Sequence, residues 1–194
     1  EGELQRMEQE LKVIEKKKLR EKFLKIRSSI KNKEEKEKKI CNFLSSLNFE
    51  KKTILSGYYP VRNEVNILPF LKHLQKKEYT ICLPCIVKIE SFLIFKRWGL
   101  ETEMKEGKFN IHEPNNNLLE EPSKILVPLL AFDKNNYRLG YGGGFYDRTI
   151  AYLEKRKKIT TIGIGFHDQK IDDLPRMKFD KKLDLVITEN GVQN

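Results

Sequence analysis

Two apolar runs, at residues 124–132 and 160–166, most strongly constrain how this chain can fold. Neither run alternates apolar with polar residues, which is typical of parallel strands whose two faces are both covered. A glycine-rich stretch and a helical pattern at residues 145–155 lie between them. Parallel neighbours need a crossover connection of this kind. The sequence therefore predicts an α/β protein with a mostly parallel sheet flanked by helices.

The rest of the chain extends this pattern with further strands and with helices that precede the sheet. Four more strands are expected at residues 53–59, 79–86, 92–98 and 184–188. Helices are expected over residues 4–30, 32–47 and 66–74, and residues 99–123 are expected to be one long irregular connection.

The length of 194 residues is enough to bury one substantial core, and we predict a single domain over residues 1–194. In the first helical pattern the apolar positions change phase between Ile14 and Leu19. Residues 1 to about 12 are therefore predicted to form a peripheral helical extension.

The net charge of +10 favours anionic partners, which include nucleic acid, a membrane surface and phosphorylated ligands. Residues 1–40 carry 14 Lys or Arg against 9 Asp or Glu, a net charge of +5, so half of the excess lies on helices whose lysines face solvent. No apolar run approaches the roughly 18 residues of a membrane span. A soluble cytoplasmic protein is expected.

Cys82 and Cys85 form a C-x-x-C sequence, which raises the alternative of a redox or metal site. A redox dithiol normally opens a helix, whereas this pair lies in an apolar strand pattern, and a zinc site needs a second pair that the sequence lacks. We predict buried strand cysteines. The segment containing His167, Asp168, Asp172 and Asp173 is likewise assigned to turns and caps rather than to a metal.

The glycine-rich stretch places four glycines within residues 140–144, between a predicted strand and a predicted helix. This order collects backbone N–H groups and a helix N-terminus around one point, which suits an anion. The stretch matches neither the dinucleotide fingerprint nor the P-loop. A tight turn is the simpler interpretation, but Arg138 can bind phosphate in a bidentate manner and Asp147 can hold Mg²⁺.

At this point the sequence resembles the 5-formyltetrahydrofolate cyclo-ligase family, also called 5,10-methenyltetrahydrofolate synthetases. The resemblance rests on residues 16–20, 58–65, 132–148, 165–169 and 180–188, in that order. It implies an ATP- and Mg²⁺-dependent ring closure of 5-formyltetrahydrofolate to 5,10-methenyltetrahydrofolate, with release of ADP and phosphate. The formyl oxygen would be phosphorylated first, and the N10 nitrogen would then attack the activated carbon.

The resemblance also assigns roles to residues. ATP would be bound by Lys16, Lys17, Lys18, Leu19, Arg20, Arg138, Leu139, Gly140, Tyr141, Gly142, Gly143, Gly144, Phe145 and Tyr146, with Arg20 and Arg138 as catalytic residues. The folate would be contacted by Tyr59, Glu64, Tyr141, Gly142, Gly143, Gly144 and Phe145. Mg²⁺ would be held by Asp147 and Asp184. Glu64 would accept paired N–H donors from the pterin.

The chain departs from the family pattern at two positions: Gly143 stands where many relatives carry lysine, and Cys85 where they often carry a basic residue. The implied partners are ATP and 5-formyltetrahydrofolate, with or without a polyglutamate tail, bound by a monomer without nucleic acid or membrane. Two alternatives stay open, a basic nucleic-acid-binding protein and a folate-binding relative without catalysis. Arg20, Glu64 and Asp184 also have simpler interpretations, as a solvated, a capping and a turn residue respectively.

Overall fold

The computed structural model describes residues 1–193 and contains four α-helices within that range. The helices are α1 (Gly2–Ser28), α2 (Lys33–Ser46), α3 (Leu68–Lys76) and α4 (Phe145–Glu154). The strands are β1 (Ile54–Ser56), β2 (Thr80–Cys85), β3 (Ile94–Trp98), β4 (Met104–Glu106), β5 (His112–Pro114), β6 (Leu119–Glu120), β7 (Lys124–Pro128), β8 (Ala131–Phe132), β9 (Arg138–Leu139), β10 (Thr160–Ile164), β11 (Leu185–Thr188) and β12 (Gly191–Val192). None of the helices in this range is long and apolar enough to cross a bilayer.

Eight strands form one sheet in the order β12-β11-β10-β7-β1-β2-β3-β6. The five central strands, from β11 to β2, pair in parallel, and the strands at both edges are antiparallel. The predicted α/β class with a mostly parallel sheet is confirmed. The two apolar runs that carried the prediction supply β7 and β10, which pair in register from Thr160↔Lys124 to Ile164↔Pro128.

The sheet is covered on both faces, which explains why its central strands lack polar positions. One core packs α2 and α3 against the sheet through Ile40, Leu44, Phe70 and Leu71. The other contains Ile150 and Leu153 of α4. From β1 the chain crosses through α3 to β2 on one side of the sheet, and from β7 it crosses through α4 to β10 on the other side. The boundary between β1 and β7 is therefore a topological switch point of the sheet.

Helix α1 packs on the β8–β9 hairpin rather than on the main sheet. Phe23 is buried with Leu130, Leu139 and Leu174 in a third core. The helix runs without a break from Gly2, and its residues as far as Leu11 are all exposed. Its first turns therefore lie outside the three cores.

The expectation of an irregular connection over residues 99–123 is wrong. This stretch contains the β4–β5 hairpin and the edge strand β6. The strands are only two or three residues long, too short for their periodicity to be read from the sequence. The hairpin matters because it brings Ile111 and His112 to the functional cavity.

Candidate functional site

The principal cavity has a volume of about 340 Å³ and lies at the carboxyl ends of the parallel strands. Its wall includes Tyr58 two residues after β1, Ile86 directly after β2 and Pro128 at the end of β7. In open α/β sheets, ligands bind outside the carboxyl ends of the strands at a switch point. The fold therefore places the cavity where a ligand is expected.

The predicted glycine loop forms one wall of this cavity, between β9 and α4. Gly142 has φ of +100° and Gly144 has φ of +70°, values that favour glycine. A Cβ atom on Gly142 would also lie 3.2 Å from Cζ of Arg20. The loop needs glycine at this position both for its backbone conformation and for the close approach of an arginine from α1.

Two arginines frame the glycine loop, and each is held through its Nε atom. Arg20 donates from Nε to the Gly140 carbonyl at 2.8 Å, and Arg138 donates from Nε to the Pro128 carbonyl at 3.2 Å. Within residues 1–193 neither forms a hydrogen bond through its Nη atoms. Both guanidinium groups line the cavity, so their Nη atoms are free for the bidentate binding of an anion.

A lysine and a carboxylate complete this charged end. Lys16 is 8 % exposed, and its Nζ lies 2.5 Å from Oδ2 of Asp180. That oxygen also accepts a bond from the Met177 N–H at 2.9 Å. Burial lowers the pKa of Arg20, and the nearby carboxylate of Asp180 partly opposes this decrease. The cations and carboxylates of this end are thus close enough to act on one another.

Asp147 lies in the first turn of α4 and lines the same end of the cavity. Its Oδ1 accepts a bond from the Lys181 N–H at 3.1 Å. Burial raises the pKa of the Asp147 carboxyl, Arg138 lowers it, and Asp180 adds a smaller increase. Asp147 and Asp180 therefore form a pair of interacting carboxylates in the cavity.

The structure does not bring Asp184, the second expected Mg²⁺ ligand, to this cavity. Its Oδ2 accepts bonds from the backbone N–H and the hydroxyl of Thr161, at 2.8 and 3.2 Å. It lines a separate groove beside β10. The sequence places Asp184 only four residues from Asp180 in the same motif, and spacing alone does not reveal which carboxylate turns inward.

The part of the cavity lined by Tyr58, Tyr59 and His112 contains a buried carboxylate, Glu64, which is 5 % exposed. Its Oε1 accepts a bond from the Val61 N–H at 2.8 Å, and its Oε2 accepts one from the Tyr141 hydroxyl at 3.3 Å. Burial raises the pKa of Glu64, and the Val61 N–H and the charge of Arg27 oppose this rise. A carboxylate in such a wall is suited to bind N–H donors of a ligand.

Aromatic side chains surround this carboxylate. The Tyr59 ring lies 5.3 Å from the His112 ring, at an interplanar angle of 33°. Tyr58 is buried and donates its hydroxyl to the Val65 carbonyl at 2.9 Å. This end therefore offers flat apolar surface with few polar groups, which suits an aromatic ring system.

Of the expected ATP-binding residues, Lys17, Lys18 and Leu19 do not line the cavity, whereas Lys16 and Arg20 do. Lys17 and Lys18 are exposed, and Leu19 packs on the third core. The remaining expected residues, from Arg138 to Tyr146 together with Tyr59 and Glu64, all line it. Helical periodicity separates the two groups, since Lys16 and Arg20 are four residues apart on one face.

The cavity lining also includes residues that sequence reasoning did not assign, among them Val13, His112, Met177 and Asp180. Val13 shares the cavity-facing side of α1 with Lys16, so periodicity could have found it. The others come from short loops and a short strand whose placement depends on tertiary packing.

The cysteines take no part in this site. Cys82 and Cys85 are buried in β2 with free thiols, as predicted. Burial raises the pKa of both thiols, to about 12 for Cys85. Across residues 1–193 no three His, Cys, Asp or Glu side chains lie together as a ready-made metal site.

Fold and cavity together define an α/β protein that can hold an anion at one end of its cavity and an aromatic N–H donor at the other. The sequence of residues 12–189 matches the 5-formyltetrahydrofolate cyclo-ligase family. The chain belongs to this family. The resemblance drawn from its motifs and the enzyme class, a ligase, are confirmed.

Relatives of known function and known structure agree with this assignment. The chain is 32% identical to the 5-formyltetrahydrofolate cyclo-ligase of Haemophilus influenzae, over 65% of this chain and 70% of the relative. It is 34% identical to that of Mycoplasma genitalium, over 69% and 70%. The 5,10-methenyltetrahydrofolate synthetase of Mycoplasma pneumoniae superimposes with a TM-score of 0.73 at 27% identity, over 90% of this chain and 98% of the other. That of Aquifex aeolicus gives 0.76 at 31%, over 92% of each.

Proposed function

We propose that this protein converts 5-formyltetrahydrofolate to 5,10-methenyltetrahydrofolate with hydrolysis of ATP to ADP and phosphate. The observation that carries the proposal is that one cavity contains both a phosphate-suited group of cations and the buried Glu64. Family membership supports the same reaction. The glycine loop lies between the two ends, where the reacting groups of both substrates would meet.

The reaction requires activation because a formamide oxygen is a poor leaving group. The formyl oxygen attacks the γ-phosphorus, the bond to ADP breaks, and an iminium phosphate forms. The N10 nitrogen then adds to the formyl carbon and loses its proton, and the carbon–oxygen bond breaks. The original formyl oxygen leaves within the released phosphate.

The protein contributes positioning and charge to this chemistry, since phosphoryl transfer needs little covalent participation. Arg20 and Arg138 would bind the phosphoryl oxygens through their free Nη atoms. Lys16 would shift from Asp180 to a phosphate of the nucleotide. The unpaired N–H groups at the start of α4 add further donors.

A Mg²⁺ site at Asp147 and Asp180 fits the donor set better than one at Asp147 and Asp184. Both carboxylates line the phosphate end, and each has one oxygen without a hydrogen bond among the described residues. Carboxylate oxygens suit Mg²⁺, which usually completes its shell with water and substrate phosphate oxygens. When bound, the ion would neutralise charge on the phosphate chain.

At the other end, Glu64 would accept N–H donors from the pterin while Tyr59 and its neighbours contact the ring. A recognition element of this kind acts in the ground state and holds the formyl group near the glycine loop. The basic surface would attract the glutamate tail of a polyglutamylated folate.

The proposal is tested by mixing purified protein with 5-formyltetrahydrofolate, ATP and Mg²⁺. Appearance of the near-ultraviolet absorbance of the methenyl product, with one ADP formed for each product, is expected. Folate binding in calorimetry without turnover would instead establish the non-catalytic alternative. Nucleic-acid affinity that falls steeply with salt, without turnover, would establish the other.

We further propose that the enzyme acts as a monomer in the cytoplasm. Folate and ATP would both bind in the cavity that carries the charged and the aromatic groups. Light scattering during size-exclusion chromatography tests the monomer, and a mass twice that of one chain would contradict it.

A further inference from the structure

Arg27 on α1 is a buried cation without an assigned role in the proposed reaction. It is 1% exposed and follows Lys16, Arg20 and Phe23 on one face of the helix. Its Nε and Nη2 donate to the Arg62 carbonyl at 3.0 and 2.6 Å, and its Nη1 donates to the Leu129 carbonyl at 3.0 Å. A buried guanidinium with all three nitrogens engaged is held rigidly.

Among residues 1–193, Arg27 has no carboxylate in direct contact, and its charge is balanced through a hydroxyl. Its Nη2 donates to the Tyr141 hydroxyl, which in turn donates to Oε2 of Glu64 at 3.3 Å. A buried charge is tolerated when it is paired and hydrogen-bonded. The Arg27 guanidinium, the Tyr141 hydroxyl and the Glu64 carboxylate therefore form one charge-balanced unit.

The same arginine holds the turn that delivers Glu64 to the cavity. Arg62 and Asn63 have φ values of +49° and +63°, a left-handed conformation that is uncommon for residues other than glycine. Such a conformation persists only where the surroundings fix it. The two bonds from Arg27 to the Arg62 carbonyl supply that constraint directly before Glu64.

We propose that Arg27 is a positioning residue which fixes Tyr141 of the glycine loop and keeps Glu64 ionised and oriented for the pterin. This inference rests on the proposed function, because it assigns the pterin to Glu64. Tyr141 is held on its ring faces as well, with Cζ of Arg27 at 5.6 Å and Cζ of Arg62 at 5.0 Å from the ring centroid. The unit thus links the folate end to the nucleotide loop.

The charged and titratable groups that face Glu64 come from every neighbouring element. They are Arg27 from α1, Tyr58 from the segment after β1, Arg138 from β9, Tyr141 from the glycine loop, Tyr146 from α4, and His112 across the same cavity. Of these, Arg27 and Arg138 carry positive charge. Histidine titrates in the weakly acidic range, so pH profiles are best measured with His112 replaced by Gln in every protein compared.

The test compares kcat/KM for 5-formyltetrahydrofolate as a function of pH in the His112→Gln protein and in its Arg27→Met and Arg27→Lys derivatives. Ionised Glu64 accepts the N–H donors, so kcat/KM falls as pH drops through the pKa of Glu64. Removing the positive charge raises this pKa, and Arg27→Met should shift the acid limb to higher pH. Arg27→Lys keeps the charge, and its limb should stay near that of the parent.

At neutral pH, Arg27→Met should raise the KM for 5-formyltetrahydrofolate by roughly ten- to a hundredfold, the factor expected for lost bonds to a charged group. The KM for ATP should change by less than about threefold. Arg97→Met removes an exposed arginine that is paired with Glu120 and does not line the cavity, and it serves as the control.

Tyr141→Phe tests the same link while leaving the carbonyl bonds of Arg27 in place, so it decides the matter if Arg27→Met does not fold. It should raise the folate KM and move the acid limb in the same direction. The inference would be overturned if the acid limb of the kcat/KM profile and the KM for folate were both unchanged in folded Arg27→Met or in Tyr141→Phe. Absence of turnover in the unmutated protein would instead count against the proposed reaction, which separates the two failures.

Discussion

The two ends of the cavity differ in the number of charged side chains and in how these charges are balanced. The phosphate end combines Lys16, Arg20 and Arg138 with the carboxylates Asp147 and Asp180, so that several charges oppose one another. The folate end contains one carboxylate, Glu64, buried among aromatic rings. A set of cations and carboxylates that compensate one another suits a phosphate chain, whose charge is redistributed during the reaction. A single desolvated carboxylate suits a ring system with a fixed pattern of N–H donors.

This contrast predicts where mutations act in the kinetics. Groups that bind more strongly in the transition state raise kcat, and groups that bind substrate and transition state equally affect KM. The phosphate end should therefore control kcat, and the folate end should control the KM for folate. The following variants break one end at a time.

The largest effect is expected at Arg138. Arg138→Ala removes the Nη donors that face the cavity, and kcat should fall by roughly a hundred- to a thousandfold, as for other donors to transition-state charge. Arg20→Ala should behave similarly. Because Arg138 also lowers the pKa of Glu64, the kinetics are measured well above the acid limb, where the KM for folate should stay within a few-fold of that of the unmutated protein. An equal loss of folate affinity would show that the two ends are not separate.

Glu64→Gln should give the complementary result. Glutamine keeps the size but replaces a carboxylate oxygen with a donor, which opposes the N–H donors of the pterin. The KM for 5-formyltetrahydrofolate should rise by about ten- to a hundredfold, the factor for a lost bond to a charged group. The KM for ATP should be little changed. A large change in the KM for ATP, with no change in the KM for folate, would show that Glu64 binds the nucleotide instead of the folate.

A third comparison separates the two candidate metal ligands beside Asp147. Asp180→Asn should raise the Mg²⁺ concentration for half-maximal rate by at least about tenfold, as changes around metal sites commonly do. Asp184→Asn should leave this concentration unchanged and cost no more than about 1 kcal/mol in free energy of unfolding, since this exposed side chain bonds only to Thr161 among the described residues. A Mg²⁺ titration in which only Asp184→Asn shifts would restore the sequence-based assignment.

The smallest effect is expected from the thiols. Cys82 and Cys85 are buried in β2, and burial raises the pKa of both. Mild alkylation of the native protein should therefore leave the rate within experimental error, because thiolate is the reactive form. Mass spectrometry checks that the thiols are unmodified. Rapid inactivation with modification of either cysteine would show that β2 opens under native conditions.

The sequence predicted the central sheet because parallel strands leave a strong signal. The apolar runs that became β7 and β10 lack polar positions for a physical reason, burial on both faces. The glycine loop was visible for a similar reason, since Gly142 combines a positive φ with close contact to Arg20. Features with a local physical cause can be found in one sequence.

The missing parts depend on tertiary packing. Nothing local distinguishes Asp180 from Asp184, because which of them faces the cavity depends on how residues 170–184 cross the β8–β9 hairpin. Arg27 resembles any other cation of a basic helix until the Arg62 carbonyl and Tyr141 are placed against it. His112 belongs to a three-residue strand whose pattern is too short to assign.

The most direct test of a shared cavity follows the formyl oxygen itself. 5-Formyltetrahydrofolate labelled with ¹⁸O in the formyl group is converted under single-turnover conditions with ATP and Mg²⁺, and the released phosphate is analysed by mass spectrometry. If the formyl oxygen attacks the γ-phosphate beside Arg20 and Arg138, the phosphate carries the label. Unlabelled phosphate, with the label in water, would contradict phosphoryl transfer to the folate and the joining of the two ends at the glycine loop.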